Sequence, residues 1–258
     1  MKVRNMLDLK GKVALITGGS RGLGLQMAEA LGEMGARLAI TARGADELAQ
    51  AKAHLEKDGI ETYTEVCDIA QADAVGPMVD KVAAHYGCID VLINNAGAIW
   101  REPAEDHSLE GWEKVVGLNL TGTFLVTQAV GKRSMIPRRY GRIIVIASSQ
   151  GLRGNRVGGN KSLAYNTSKA GLLNFTRALA GEWGPHNITV NAIAPGLFPS
   201  KMTERVMGPN ADRVIGVTPM GRLGGGDDLK GLAVLLASDA SQHITGQIIA
   251  VDGGMSAV

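Results

Sequence analysis

The run Val13-Ala14-Leu15-Ile16 leads through Thr17-Gly18-Gly19-Ser20-Arg21-Gly22-Leu23-Gly24 into an amphipathic stretch at 25–34, and no other feature constrains the fold as strongly. Four consecutive apolar residues without alternation predict a parallel strand buried on both faces. Strand, glycine-rich turn and helix, in that order, is the arrangement of a dinucleotide site: glycines let backbone N–H groups approach a pyrophosphate, and the helix N-terminus receives its charge. Strand-to-helix turns also need glycine for conformational reasons, so the turn alone leaves ligand binding open.

The remaining pattern repeats that alternation. Strands are predicted at 37–41, 61–66, 91–93, 143–147 and 248–251, with a sixth ending near Asn191, and helices at 46–57, from about Gln71, at 109–130, from Ala164 and from Asp227-Asp228. The expected fold is α/β: a Rossmann-type doubly wound parallel sheet of about seven strands, helices on both faces, forming one domain over 1–258. A chain of 258 residues with 45% apolar content can fill such a core. Its net charge of +2 gives no reason to expect nucleic acid or a membrane surface as partner. Cys67 and Cys88 offer neither a disulfide framework nor metal-ligand spacing, so no metal is expected and a reducing cytoplasm fits. Charges at Lys2, Arg4, Asp8 and Lys10 interrupt any leader-like apolar core, and no later run has the length of a membrane span.

The chemistry-bearing residues cluster at predicted strand ends, where open parallel sheets bind ligands. About 20 residues beyond the glycine turn, where an acid would bind the ribose 2′-hydroxyl of NAD, stands Ala42-Arg43. Arg43 and Arg21 together suit the 2′-phosphate of NADP(H), with NAD(H) the alternative cofactor; either arginine also fits a solvated surface position. Asp68, beside Ile69, suits an adenine contact or a helix cap. Asn94-Asn95-Ala96-Gly97 and Ser148-Ser149 follow two further strands, and Asn119 is an amide among apolar neighbours that needs partners if buried. Tyr165 and Lys169, four residues apart, leave the same face of a helix. A cation about 4 Å from a phenol, at an effective dielectric of about 20, favours the phenolate by up to ~4 kcal/mol, or roughly three pKa units. That shift brings an acid of pKa near 10 toward neutrality, where proton transfer is efficient.

Thr17-Gly-x-x-x-Gly22-x-Gly24, Asp68, Asn94-Asn-Ala-Gly97, Asn119, Ser148 and Tyr165-x-x-x-Lys169, in this order, resemble the short-chain dehydrogenase/reductase family over nearly the whole chain. The resemblance implies that Tyr165 is the general acid/base, that Lys169 lowers its pKa and binds the nicotinamide ribose, that Ser148 orients the substrate oxygen, and that Asn119 holds a relay water. It implies cofactor contacts from Gly18, Ser20, Arg21, Gly22, Leu23, Gly24, Arg43, Asp68, Ile69, Asn95, Ala96 and Gly97. Asn191-Ala-Ile-Ala-Pro195-Gly196 would cup the nicotinamide amide, and Ser200 stands where the family usually has Thr. Asp252-Gly253-Gly254 is similar to the family's carboxyl terminus, implying an edge packed between subunits of a homotetramer.

Two regions depart from the pattern. Seventeen positions separate Ser148 from Tyr165, a few more than usual, and the added glycine-rich stretch 153–161 with Arg153, Arg156 and Lys161 reads as a flexible wall beside the substrate. It leaves Ser149 as an alternative to the favoured Ser148. The segment 197–221, with Pro199, Pro209 and Pro219 around a short helical pattern at 201–207, reads as a substrate lid whose Leu197, Phe198, Met202 and Met207 either line the pocket or pack the lid down.

The expected activity is hydride transfer between nicotinamide and a carbonyl or secondary alcohol. The first expectation for the substrate is a 3-oxoacyl thioester, the alternative a sugar acid or polyol of gluconate type, since the chain resembles reductases and dehydrogenases of both kinds. Lys132, Arg133, Arg138, Arg139 and Arg142 would then dock an acidic acyl carrier protein, or form a solvated loop. A non-catalytic NADP-binding sensor or scaffold is the reading from another class, and the complete set Asn119, Ser148, Tyr165 and Lys169 weighs against it.

Overall fold

The computed structural model describes residues 2–154, 159, 161–200, 203 and 211–258. Seven strands, β1 (Val13–Thr17), β2 (Arg37–Ala42), β3 (Thr62–Val66), β4 (Val91–Asn94), β5 (Gly141–Ile146), β6 (Ile188–Pro195) and β7 (Ile248–Val251), form one sheet in the order β3-β2-β1-β4-β5-β6-β7. Every pairing is parallel. All carboxyl ends therefore lie along one edge. The strand order reverses between β1 and β4, and that crevice is where an open α/β sheet takes its ligand.

The helices are α1 (Val3–Met6), α2 (Gly22–Glu33), α3 (Ala45–Lys57), α4 (Ala72–Tyr86), α5 (Leu109–Val116), α6 (Thr123–Val130), α7 (Ile136–Arg138), α8 (Leu163–Trp183), α9 (Ala211–Gly216) and α10 (Lys230–Ala237). Alternate residues of β1 point into opposite cores. Ala14 and Ile16 meet Met27 and Leu31 of α2, Leu48 and Leu55 of α3, and Ala233 of α10. Val13 and Leu15 meet Val79 and Val82 of α4, Val126 of α6, and Leu172 of α8. Burial on both faces is why the strands read as unbroken apolar runs. β7 closes the sheet as a half-exposed edge.

Two boundaries differ from the sequence-based expectation. The stretch 109–130 is not one α-helix, because Gly117–Gly122 forms a π-helical turn between α5 and α6, placing Asn119 on the bulge. Asp227-Asp228 does not open the last helix: α10 starts at Lys230 with no side-chain cap, and Asp228 instead accepts from Gly225 N at 2.7 Å and pairs with Arg222. A local turn and an ion pair claimed the carboxylate before the helix could. Of the residues named from the sequence, Arg156 in the insertion and Met202, Met207 and Pro209 in the lid lie outside those described, as does most of the expected 201–207 helix.

Candidate active site

The crevice begins at the turn between β1 and α2. Gly24 sits so close beneath it that a Cβ there would lie 2.3 Å from the Gly18 carbonyl oxygen and 2.5 Å from Asn95 Nδ2, so only glycine lets the helix start this near the strand. Gly22 adopts φ +55 with nothing within 4 Å of its Cβ direction, leaving an open cradle at the helix N-terminus. Ser20 is buried and Leu23 packs against the core under the turn. Asn95 braces the opposite wall, its Nδ2 donating to the carbonyls of Thr17 and Gly18, each at 3.0 Å. The Asn95 and Ala96 amides donate to Thr17 Oγ1 at 3.0 and 3.1 Å. Thr17, named in the glycine motif but given no role from the sequence, thus ties β1 to the β4 loop. An open glycine cradle walled by these amides, and shaped by the absence of Cβ atoms, fits the pyrophosphate of a dinucleotide.

Beyond the cradle, Arg43 follows β2 directly and is exposed. Arg21 forms the N-cap of α2, and its Nη1 donates to Glu47 Oε1 of α3 at 2.5 Å. A carboxylate thus stands beside the cations expected to hold a 2′-phosphate. Asp68 does not cap α4, whose N-cap is Gln71 with no side-chain bond; its Oδ1 accepts from Ala70 N at 3.1 Å in the turn before the helix, while Ile69 is buried with its carbonyl against Gly122.

The groups expected to react lie over β4, β5 and α8. Ser148 follows β5, is 6% exposed, and accepts from Gln150 N at 3.1 Å as the cap of the 3₁₀ turn Ser149–Gly151. Its neighbour Ser149 is 3% exposed, and the hydrogen bond acting on the Tyr165 phenol comes from Ser148. Lys169 Nζ is 5.7 Å from the centre of the Tyr165 ring and 3.6 Å from a Cβ placed on Gly97, which brings phenol, ammonium and the β4 loop to one point.

The electrostatics differ from expectation. Burial pushes the Tyr165 phenol up, and what opposes burial is a hydrogen bond with Ser148 and the positive charge of Arg101. Lys169 is itself pulled down to about 8 by burial, and its Nζ donates to the Ile146 carbonyl at 2.7 Å. The lowering expected from Lys169 at an idealised separation of about 4 Å is not among the influences on the phenol, which are burial, Ser148 and Arg101. Arg101, just past the β4 loop, carried no periodic or motif signal in the sequence.

Two amides serve the scaffold. Asn119 is wholly buried: Oδ1 accepts from Ala98 N at 2.8 Å, and Nδ2 donates to Ala98 O at 3.0 Å and to Ser168 Oγ at 2.9 Å. Ser168 Oγ donates in turn to the Tyr165 carbonyl at 2.8 Å. The side chain expected to hold a relay water braces the β4 loop against the Tyr165 helix. Asn191 lies inside β6 rather than after it, donating to Ile244 O at 2.7 Å and accepting from Gln247 N at 3.0 Å, so only Pro195 and Gly196 reach the strand end. Gly196 is backed by Asp252, 2.8 Å from where its Cβ would stand. Ser200 donates its N–H to Thr203 Oγ1 at 2.8 Å, and Phe198 is 4% exposed. A cavity of about 370 Å³ lies between Phe198, Met220, Arg222 and Met255, meeting the site only at Gly196 and Leu197.

The basic stretch is tied up within the fold. Arg133 pairs with Asp80, Arg138 with the buried Asp90 at 2.5 Å, and Arg142, itself buried, with Asp239 at 3.0 Å. Arg139 Nη2 donates to Pro185 O at 2.6 Å. These arginines join secondary elements, while Lys132, Arg133, Arg138 and Arg139 remain exposed. Among the described residues no group of His, Cys, Asp and Glu could hold a metal ion.

A parallel sheet with a dinucleotide cradle at its switch point and a Ser, Tyr and Lys converging beside it defines a nicotinamide-type oxidoreductase. A family model described as Enoyl-(Acyl carrier protein) reductase matches residues 18–256. The chain is 37% identical over 254 residues to a gluconate 5-dehydrogenase of Gluconobacter oxydans, covering 98% of this chain and 97% of that one. It is 36% identical over 250 residues to the 3-oxoacyl-acyl-carrier-protein reductase FabG of Aquifex aeolicus, covering 96% and 99%. A solved gluconate 5-dehydrogenase of Burkholderia cenocepacia, in complex with NADP and tartrate, superposes with a TM-score of 0.94 at 33% identity and full coverage of both chains. The chain belongs to the short-chain dehydrogenase/reductase family.

Proposed function

We propose that this chain interconverts a ketone and a secondary alcohol on a small sugar acid, using NADP(H), with NAD(H) as a weaker alternative. One observation carries the choice of substrate class: the loop of Arg101 is held at the start of the Tyr165 helix, since the neighbouring Glu102 bridges Ser162, three positions before Tyr165, and the Arg101 guanidinium acts on the phenol through its charge. Arginine pairs with carboxylates through two parallel hydrogen bonds, fixing orientation as well as charge. The gluconate 5-dehydrogenase relatives, one of them holding NADP and tartrate, agree with it.

The nicotinamide, when bound, supplies or accepts the hydride. Gly18, Ser20, Gly22, Leu23 and Gly24 would hold the pyrophosphate half, Arg21 and Arg43 the 2′-phosphate, Asp68 and Ile69 the adenine side, and Ala96, Gly97, Pro195, Gly196 and Ser200 the nicotinamide half. Tyr165 moves the proton at the substrate oxygen, Ser148 hydrogen-bonds that oxygen as charge develops, and Lys169 places its ammonium beside Gly97 for the ribose. Asn119 contributes by fixing the Tyr165 helix. The segment 197–221 serves as the lid over this site within a single domain. A homotetramer using the half-exposed β7 edge and a cytoplasmic setting, where Cys67 and Cys88 stay free, complete the reading. No described helix is long and apolar enough to cross a membrane.

Reduction of a 3-oxoacyl thioester is the second reading, favoured by the FabG relative. Docking of an acyl carrier protein would draw on the exposed Lys132, Arg133, Arg138 and Arg139, two of which, Arg133 and Arg138, also pair with carboxylates of this chain. The test is steady-state turnover with gluconate and NADP⁺, with a neutral polyol, and with 3-oxobutanoyl thioester and NADPH. The reading expects gluconate to exceed the neutral polyol in kcat/KM by about tenfold or more, the scale of one charge-assisted contact, and Arg101→Met to erase that preference. Thioester turnover above both, unaffected by Arg101→Met, would overturn it.

A further inference from the structure

We propose that Glu102 is a positioning residue for substrate recognition: it clamps the loop carrying Arg101 to α5 on one side and to the entrance of α8 on the other. The inference rests on the reading of Arg101 as the group that receives a substrate carboxylate.

The clamp is built from both side chain and backbone. Glu102 Oε2 accepts from Ser108 N at 2.8 Å and from Ser108 Oγ at 2.9 Å, and Ser108 Oγ accepts from Gly111 N at 3.2 Å as the N-cap of α5. The Ser108 N–H and, next, the Trp100 indole hold the Glu102 carboxyl below the usual carboxylate range. Trp100 is pinned in turn, because a Cβ on Gly111 would lie 2.5 Å from its ring and Lys114 Nζ sits 4.9 Å from the ring centre. The residues on either side of Arg101 are thus both fastened to the same helix start.

The backbone of Glu102 makes the second attachment. Its N–H donates to Lys161 O at 2.9 Å, and Glu102 and Ser162 form an isolated parallel bridge. Ser162 is 2% exposed, its Oγ donates to Asn166 Oδ1 at 3.0 Å, and its carbonyl accepts from Asn166 N at 3.0 Å, in the first turn of the helix that carries Tyr165. Arg101 therefore stands at a distance from Tyr165 set by a short chain of contacts through Glu102 and Ser162. A long exposed arginine loses side-chain entropy on engaging a ligand, and fixing its backbone at both neighbours lowers that cost.

A purely structural role for Glu102 predicts something different from a positioning role, and the kinetics separate them. Glu102→Ala is expected to raise KM for gluconate about tenfold, the order of one charge-assisted bond, with kcat and the KM for a neutral polyol within about twofold. Glu102→Gln, which keeps an acceptor oxygen for Ser108, is expected to recover most of the loss and guards against a Glu102→Ala protein that does not fold. In an Arg101→Met background either substitution should add nothing, since Glu102 acts through Arg101. Equal rises in KM for gluconate and the neutral polyol, or additive losses in the double variant, would overturn the proposal while leaving the sugar-acid reading in place. If Arg101→Met alone leaves the KM for gluconate unchanged, the carboxylate reading fails first and this inference falls with it.

Discussion

Lys169 Nζ donates to the carbonyl of Ile146 at 2.7 Å, which fastens the ammonium to the last residue of the strand that delivers Ser148. The ammonium is 4% exposed and no carboxylate lies among the causes of its shift, so burial alone brings its pKa to about 8. In the unfolded chain the same lysine titrates near its ordinary value of about 10.4. Between those values the unfolded state binds the extra proton, so stability of the ligand-free protein rises with pH across that window, and below about pH 8, where both states are protonated, this contribution levels off at its minimum. Chemical denaturation at several pH values between 7.5 and 10 should show this slope, worth up to about 3 kcal/mol at one pKa unit per ~1.4 kcal/mol. Lys169→Met should flatten it. An unchanged slope in that variant would mean that the ammonium is better solvated than its surroundings indicate.

Tyr165 feels burial upward and Ser148 and Arg101 downward. Alcohol oxidation needs the phenolate as base, so kcat/KM should climb with pH through the phenol's pKa. Removing Arg101 as Met, or the Ser148 hydroxyl as Ala, takes away a downward influence and should move that rise to higher pH. Tyr165→Phe should lose about 10²–10⁴ in rate, with NADPH binding by fluorescence titration intact. A profile that stays in place in both Arg101 and Ser148 variants would detach them from the proton transfer.

Glu47 holds Arg21 at 2.5 Å on the side of the site where a 2′-phosphate would lie. Since a carboxylate there repels the phosphate and competes for the guanidinium, Glu47→Gln should lower the Kd for NADPH several-fold and leave that for NADH nearly unchanged, the scale of a screened surface pair. Arg21→Ala should do the reverse. Titrations at low and physiological salt check both, and a Glu47→Gln protein with equal gains for the two cofactors would show that the acid does not sense the 2′ group.

Gly24→Ala places a methyl group 2.3 Å from the Gly18 carbonyl oxygen, a contact with backbone that no side-chain rotation relieves. Overpacking of this kind costs about 1–3 kcal/mol, and relief would push the turn away from Asn95 and distort the cradle. Urea denaturation should report the loss, and NADPH affinity should fall with it. Full affinity at wild-type stability would contradict the close approach of β1 and α2.

Much of the fold was legible because its signals are local. Unbroken apolar runs marked the doubly buried strands, glycines marked the cradle, and Tyr165 with Lys169 shared a helix face by spacing alone; the sheet and helices place all three as expected. What the sequence could not decide was how each polar group is spent, since partners lie far apart along the chain. Asn119 meets Ser168 across 49 positions, and Arg142 meets Asp239 across 97. The Asn119 amide braces a loop, and Arg133, Arg138 and Arg142 close ion pairs within the fold. Arg101 became visible beside Tyr165 only when β4 and α8 were packed together. Sequence by itself determined the order of strand, turn and helix and brought forward the residues proposed to react; tertiary structure decided their electrostatics, because burial and through-space charge depend on neighbours that chain order does not name.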